Sequence, residues 1–117
     1  MGVARRILIV EDEPIVAIAL QDMVEDLGYE VAGPAFRVAA ALVLAEQGGF
    51  DAAILDVNMG DAESYCVAER LRAAGIPYLF ATGYGREGLA PGHEDAIVLR
   101  KPYRETEVAA ALRRLLD

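Results

Sequence analysis

Four short apolar segments of this sequence end in residues that could take part in ionic or phosphoryl chemistry. These residues are Glu11 with Asp12, Asp56, Thr82 and Lys101. Carboxylates bind hard divalent cations, a lysine ammonium group can meet an anionic oxygen, and a hydroxyl group can donate a hydrogen bond to one. Each residue also has an ordinary explanation, because acids favour helix starts and threonine or lysine is common in loops. A functional site therefore requires that the fold bring these residues together.

The spacing of apolar residues predicts five β-strands that alternate with helices. The strands are predicted at residues 6–10, 29–36, 52–56, 77–82 and 96–99. Helical periodicity follows the first, second, third and fifth strands, whereas the Gly-rich segment 83–94 predicts only a short or irregular helix. The third of these helices is expected to begin after residues 60–61. Gly33-Pro34 interrupts the second strand and places it near a sheet edge.

This alternation predicts an α/β fold with a parallel sheet that is covered on both faces. Right-handed crossovers favour a flavodoxin-like doubly wound sheet, (βα)5, with the strand order 2-1-3-4-5. We expect residues 1–117 to form a single domain.

The composition excludes several classes of function. The chain has 117 residues and a formal charge of −8, which argues against direct binding of nucleic acid but is compatible with a divalent cation or a basic protein partner. The single cysteine, Cys66, cannot form an internal disulfide, and we expect it to be a small buried side chain. The sequence has no signal-peptide pattern and no apolar run long enough to span a bilayer, so a cytoplasmic location without membrane contact is expected.

The four strand ends should meet at one edge of the sheet, where ligands bind in folds of this class. Two carboxylates about 5 Å apart repel by roughly 3 kcal/mol at an effective dielectric constant of about 20. A bound Mg²⁺ would remove that cost and leave positions open for phosphate oxygens. The constellation therefore favours transfer of a phosphoryl group onto a carboxylate.

Individual roles can be assigned within this predicted site. Asp56 is the expected nucleophile, because it ends an apolar strand at the centre of the sheet. Asp12 is expected to bind the metal directly and Glu11 through water. Asn58 could supply its main-chain carbonyl to the metal, with its side chain facing the incoming or leaving group. Thr82 and Lys101 would contact the phosphoryl oxygens.

Taken together, these residues resemble the receiver domain of two-component response regulators, over essentially the whole chain. The resemblance is carried by Glu11-Asp12, Asp56, Asn58, Thr82 and Lys101-Pro102, in that order. It implies that Asp56 is phosphorylated and that Glu11, Asp12, Asp56 and the Asn58 carbonyl bind Mg²⁺. It also implies that Thr82 and Lys101 contact the phosphoryl group and relay its arrival. The Lys101–Pro102 peptide bond is often cis in this family.

The resemblance further implies a function in signalling. The protein would take a phosphoryl group from a sensor histidine kinase or a histidine phosphotransfer protein. It would then act on a downstream protein target by contact, pass the phosphoryl group onward, or serve as a phosphate sink. We expect a monomer or weak homodimer that is not an enzyme, apart from limited self-phosphorylation and autodephosphorylation.

A narrower resemblance, and two departures, concern the switching mechanism. The segment 77–84 is similar to the P-F-x-F-A-T-G-[G/Y] signature of a group of single-domain receivers, with Tyr78 in place of Phe. Gly60 replaces the usual proline, which should loosen the loop without affecting a metal ligand. Val98 stands where receivers carry an aromatic switch residue. The usual coupling, in which an aromatic ring turns inward behind the threonine, therefore cannot operate unchanged. Tyr84 could substitute for that ring, although core or partner packing explains it equally well.

Two other functions remain as alternatives. A haloacid-dehalogenase-type phosphatase also uses an Asp nucleophile, Mg²⁺, Thr and Lys, but its nucleophile usually ends the first strand; turnover of a small phosphate ester would support it. A receiver-like interaction module that is never phosphorylated would show no Mg²⁺ binding. His93 lies in a Gly- and Pro-rich segment and does not look like a phosphotransfer histidine.

Overall fold

The computed structural model describes residues 4–60, 62–85, 89–93 and 95–117, which form five strands and four α-helices. The strands are β1 (Arg6–Val10), β2 (Glu30–Ala35), β3 (Ala52–Asp56), β4 (Tyr78–Thr82) and β5 (Ile97–Arg100). The helices are α1 (Pro14–Asp26), α2 (Val38–Gln47), α3 (Tyr65–Ala73) and α4 (Glu105–Leu116).

All five strands are parallel and lie in the order β2-β1-β3-β4-β5, which confirms the predicted topology. β3 is the central strand and β2 is an edge strand, as the sequence predicted. The connection between β4 and β5 was expected to hold at most a short or irregular helix. In its described part (83–85, 89–93 and 95–96) no α-helix is present, and residues 86–88 and 94 lie outside the described residues. The third helix was expected to begin after residues 60–61, and α3 begins at Tyr65; residue 61 itself also lies outside the described residues.

The core consists of one apolar layer on each face of the sheet. Leu8 and Val10 of β1 face the layer under α2 and α3, whereas Ile7 and Ile9 face the layer under α1 and α4. This alternation follows from the two-residue period of a strand. Every residue of β3 is buried, as expected for a central parallel strand covered on both faces. The fold thereby carries Asp56 from the middle of the core to the carboxyl edge.

One expectation about the core was wrong, because Cys66 is exposed. The inner face of α3 is formed by Val67, Ala68 and Leu71. Successive helical residues are rotated by about 100°, so the residue before Val67 points away from the sheet. None of the helices in the described parts of the chain has both the length and the apolar composition that a membrane crossing requires.

Gly33 of β2 lies close to the backbone of β1. Its φ is +85°, and an added Cβ would lie 2.8 Å from the Ala35 nitrogen and 3.1 Å from the Ile9 carbonyl oxygen. Both atoms belong to the backbone, so neither can rotate away. The packing of β2 against β1 therefore depends on glycine at this position. β1 in turn positions Glu11 and Asp12, which follow it in the chain.

We predict that Gly33→Ala destabilises the protein more than Gly28→Ala. Gly28 also has a positive φ, of +95°, but its added Cβ would meet nothing within 4 Å. Gly28→Ala should therefore cost only the left-handed backbone penalty of about 1–2 kcal/mol. Gly33→Ala should cost roughly 2 kcal/mol more because of the backbone overlap. Urea unfolding of both variants measures this, and equal midpoints would contradict the proposed close approach.

Candidate functional site

The structure brings the sequence-predicted residues together at the carboxyl edge of the sheet. A cavity of about 350 Å³ opens there. It is lined by Asp12, Glu13, Asp56, Val57, Asn58, Gly60, Glu63, Thr82, Gly83, Tyr84 and Lys101. Glu11 is not on the wall of this cavity, because it is fully buried behind it. The residues that follow β1, β3, β4 and β5 thus form a single cluster.

Lys101 connects the acidic residues of this cluster. Its Nζ atom lies 2.8 Å from Glu11 Oε1 and 3.1 Å from Asp56 Oδ1. Both carboxylates are almost completely shielded from solvent, whereas the lysine side chain is 22% exposed. One ammonium group therefore compensates two buried carboxylates, and it can still reach the cavity.

This arrangement leaves Asp56 with uncompensated negative charge around it. Burial and the charge of Glu11 raise the pKa of Asp56 from 3.8 to about 7, against the lowering effect of Lys101. Burial alone would lower the pKa of Lys101, but its hydrogen bond with Glu11 and the charge of Asp56 raise that pKa overall. The lysine therefore stays protonated. Its single positive charge does not offset two buried carboxylates, and the pKa of Asp56 is raised as a result.

Glu11 is fixed by contacts beyond the lysine. The backbone N–H of Glu13 donates to Glu11 Oε2 at 3.2 Å, and the hydroxyl of Tyr103 donates to Glu11 Oε1 at 3.5 Å. Burial and the charges of Glu11 and Asp56 raise the pKa of Tyr103, so its phenol keeps the proton it donates. Sequence reasoning missed Tyr103, because nothing in the sequence shows that the turn after Lys101 points this ring back toward β1.

The acidic residues fit a hard divalent cation. Glu11, Asp12 and Asp56 each offer a carboxylate oxygen, and these oxygens all lie within 4.8 Å of one another. Oxygen donors of this kind suit Mg²⁺, and the raised pKa of Asp56 indicates that positive charge would be favourable here. Asp12 and Asp56 both lie on the cavity wall, and of these three acids Asp12 is the one that is only partly buried. In this structure Glu11 contacts Lys101 directly.

The loop that follows Asp56 is closed by a residue that sequence reasoning missed. The Ser64 hydroxyl donates to the Asp56 carbonyl oxygen at 2.6 Å, and the Ser64 N–H donates to the Val57 carbonyl at 3.0 Å. Asn58 lines the cavity within this loop, and its side-chain oxygen accepts a hydrogen bond from the Gly60 N–H at 3.0 Å. The amide oxygen of Asn58 is therefore used to form the turn.

Gly60 approaches the acidic cluster more closely than expected. Its φ is +87°, and an added Cβ would lie 3.3 Å from Asp12 Oδ2. The expectation that the residue at this position does not affect a candidate metal ligand was wrong, because the loop folds back over Asp12. Glycine keeps this side of the cavity open.

Thr82 is 5% exposed and stands at the end of β4, beside the cavity. Its Oγ1 atom accepts a hydrogen bond from the Tyr84 N–H at 3.0 Å, which leaves the hydroxyl proton free for an anionic ligand. The Tyr84 side chain lines the mouth and is 77% exposed, so it does not pack in the core. Val98 is only partly buried and pairs with Phe80 across β4 and β5.

The response regulator receiver domain family matches residues 7–113. The chain is similar to the Phyllosphere-induced regulator PhyR of Methylorubrum extorquens, with 32% identity over 117 residues that cover 97% of this chain and 44% of that protein. The chain spans about half the length of the curated relatives it matches.

Solved structures agree with this match over the full chain. The solution structure of SdrG from Sphingomonas melonis Fr1 superposes with a TM-score of 0.87 at 45% identity, covering 100% of both chains. The BeF3-activated conformation of SdrG, from Pseudomonas melonis Fr1, gives a TM-score of 0.84 at 45% identity and covers 100% of both chains.

We predict that the stabilising effect of Asp56→Asn depends on pH in metal-free buffer. The pKa of Asp56 is raised in the folded state, so the protonated form stabilises the fold fully below about pH 3.8, and this stabilisation is lost as the pH rises to about 7. Asparagine cannot ionise. The melting temperature of Asp56→Asn relative to wild type should therefore rise between about pH 4 and pH 7 and then level off.

Thermal unfolding with EDTA present measures this difference. Asp22→Asn, an exposed position on α1, is the matched control and should show no such trend. A difference between Asp56→Asn and wild type that does not change with pH would contradict the burial of negative charge at Asp56.

Proposed function

The chain belongs to the response regulator receiver domain family, and we propose that it accepts a phosphoryl group on Asp56 in a Mg²⁺-dependent reaction. Receiver domains are signalling domains rather than conventional enzymes. They interact with kinases and downstream targets, and they bind Mg²⁺ at an acidic pocket. The observation that carries the proposal is the Lys101 ammonium group, which contacts both Asp56 and Glu11 beside an open cavity.

Asp56 is the proposed nucleophile. One of its carboxylate oxygens attacks phosphorus and forms a new P–O bond. The bond from phosphorus to the donor breaks, and its electron pair leaves with the donor, which for a phosphohistidine is the imidazole nitrogen. The carboxyl group must be ionised for this step, and a pKa of about 7 makes the ionised form accessible at neutral pH.

The other residues act on charge and position. When bound, Mg²⁺ would neutralise the carboxylates and the charge on the transferring phosphoryl oxygens. Asp12, Asp56 and Glu11 would hold it, with the Asn58 main-chain carbonyl as a further proposed ligand. Lys101 would move from its bridge onto a phosphoryl oxygen. A hydrogen bond from the Thr82 hydroxyl to another phosphoryl oxygen would complete the acceptor site.

A protein is the proposed donor, either a sensor histidine kinase or a histidine phosphotransfer protein. An apolar surface of α1 and the turn after β5 supports this, because it adjoins the acidic site through Lys101. It is formed by Ile15, Val16, Ala19, Met23, Pro102 and Tyr103. Ile15 is 84% exposed and belongs to this apolar surface, and exposed apolar patches are typical of protein interaction sites.

We also assign the chain to the P-F-x-F-A-T-G-[G/Y] group of receivers, on the basis of segment 77–84. The hydrogen bond between the Tyr84 N–H and Thr82 Oγ1 supports this assignment, since it gives the last residues of the signature a joint role at the site. A haloacid-dehalogenase-type phosphatase is disfavoured, because Asp56 ends β3 rather than β1. The downstream partner is proposed to be a protein.

We predict that incubation with acetyl phosphate and Mg²⁺ adds one phosphoryl group, located at Asp56 by mass spectrometry at neutral pH. Asp56→Asn should abolish labelling. Lys101→Ala should slow labelling by about one to two orders of magnitude, because the negatively charged phosphoryl oxygen loses the lysine ammonium group that would contact it. Asp22→Asn should label like wild type. Labelling of wild type that persists with EDTA, or that maps to another residue, would contradict the proposal.

We further predict that Mg²⁺ stabilises the folded protein through Asp12. Ligand binding to the folded state adds RT ln(1 + [L]/Kd), or about 1.4 kcal/mol at ten times Kd. A Mg²⁺ titration followed by thermal unfolding should show this gain in wild type and lose most of it in Asp12→Asn. Asp95→Asn, an exposed acid remote from the cluster, controls for unspecific ion effects. An equal gain in Asp12→Asn would place the cation elsewhere.

A further inference from the structure

Three rings hold the described part of the connection between β4 and β5 against the sheet. Tyr65, the first residue of α3, stacks on His93 with ring centroids 4.5 Å apart and an interplanar angle of 29°. Both rings pack edge-on against Phe80 of β4, at 5.4 Å and 5.5 Å. The Ala90 N–H donates to the Tyr65 hydroxyl at 2.7 Å. We call Tyr65, Phe80 and His93 the aromatic clasp.

The clasp begins one residue after a direct contact with the candidate phosphoacceptor. Ser64 is completely buried, and its hydroxyl donates to the main-chain carbonyl of Asp56 at 2.6 Å. Ser64 and Tyr65 are consecutive residues. One therefore holds the main chain of Asp56, and the other holds Ala90 and His93.

The same connection is held at its start by Thr82. The Thr82 hydroxyl oxygen accepts a hydrogen bond from the Tyr84 N–H. Phe80 lies two residues before Thr82 on β4, so the side chains of Phe80 and Thr82 point to the same face of the sheet. The residue paired with Phe80 on β5 is Val98, which brings no ring to this position. Besides Tyr78 of β4, the rings that pack on Phe80 come from α3 and from the connection itself.

We propose that Ser64 and the aromatic clasp couple the phosphoryl state of Asp56 to the connection between β4 and β5. This inference rests on the proposed function. When Asp56 is loaded and Thr82 and Lys101 close on the phosphoryl group, the tip of β3 shifts. A buried Ser64 hydroxyl cannot exchange its hydrogen bond for one with water, so the start of α3 moves with Asp56.

The stacked rings transmit this movement, because close-packed groups shift together. His93 Nδ1 is shielded from solvent and has no hydrogen-bond partner within the described residues. The stacking contact ties the imidazole to Tyr65, so the ring follows Tyr65. The Ala90 amide, which donates to the Tyr65 hydroxyl, is the natural reporter of the coupling.

The test uses the ¹⁵N-labelled protein with Mg²⁺, and beryllofluoride as the phosphoryl mimic. In wild type, the amide signals of both Thr82 and Ala90 should shift on addition of beryllofluoride. In Ser64→Ala, the Thr82 signal should still shift, whereas the shift at Ala90 should fall to less than half of its wild-type size. Ser64→Thr keeps the hydroxyl group and should restore most of the Ala90 response.

Tyr65→Phe tests the other end of the coupling with the ring retained. Loss of one neutral hydrogen bond should speed hydrogen exchange at the Ala90 amide about five-fold in the free protein. The response of Ala90 to beryllofluoride should also fall, while that of Thr82 persists. Tyr29→Phe, which lies in the opposite core layer, is the matched control and should leave both signals unchanged.

The outcomes separate this inference from the proposed function. If wild type shows no shift at Thr82 with beryllofluoride, the proposed function fails. If Thr82 shifts and Ala90 does not, the coupling is wrong although the function stands. A full Ala90 response in Ser64→Ala or in Tyr65→Phe would also overturn the coupling. Should Ser64→Ala fail to fold, Tyr65→Phe decides alone.

Discussion

Mutual repulsion among three carboxylates is the constraint on which the rest of this structure depends. Glu11, Asp12 and Asp56 bring their oxygens within 4.8 Å of one another, and Lys101 bridges two of them. In the absence of further positive charge, burial beside Glu11 raises the pKa of Asp56 to about 7. A site in this condition gains free energy from a divalent cation and from groups that bind to it, so burial and the charge of Glu11 together make the pocket receptive.

The parallel sheet brings these carboxylates together and also brings the positive charge of Lys101 to them. β1 and β3 are adjacent at its centre, so the acids that follow them must meet. β5 is two strands away from β3, yet the residue after it reaches back with a long, flexible side chain. Asp56 is held at the main chain by Ser64 and by the sheet, while its side chain faces the cavity. The main chain thus positions the Asp56 carboxyl group before phosphoryl transfer, and Lys101 supplies a movable charge.

Periodicity predicted the strands, and the preference for right-handed crossovers predicted their order. The residues that meet at the carboxyl edge followed from this, because strand ends in a parallel sheet share one edge whatever the packing beneath. The exposure of Cys66 was missed, since the phase of a short helix is set by its contacts. Ser64, Tyr103 and the close approach of Gly60 to Asp12 were also missed. Each of these depends on how a loop folds back over the site, and the contact of Tyr103 with Glu11 joins residues 92 positions apart. No local pattern encodes such a contact.

The pKa of Asp56 is the most direct measure of the negative charge buried around it. A ¹³C NMR titration of the Asp56 carboxyl group in metal-free buffer should give a midpoint near pH 7, far above the ordinary value of 3.8. Addition of Mg²⁺ should move that midpoint to lower pH, because the cation favours the carboxylate. A midpoint near 3.8 that Mg²⁺ leaves unchanged would contradict both the buried charge cluster and the cation site built from it.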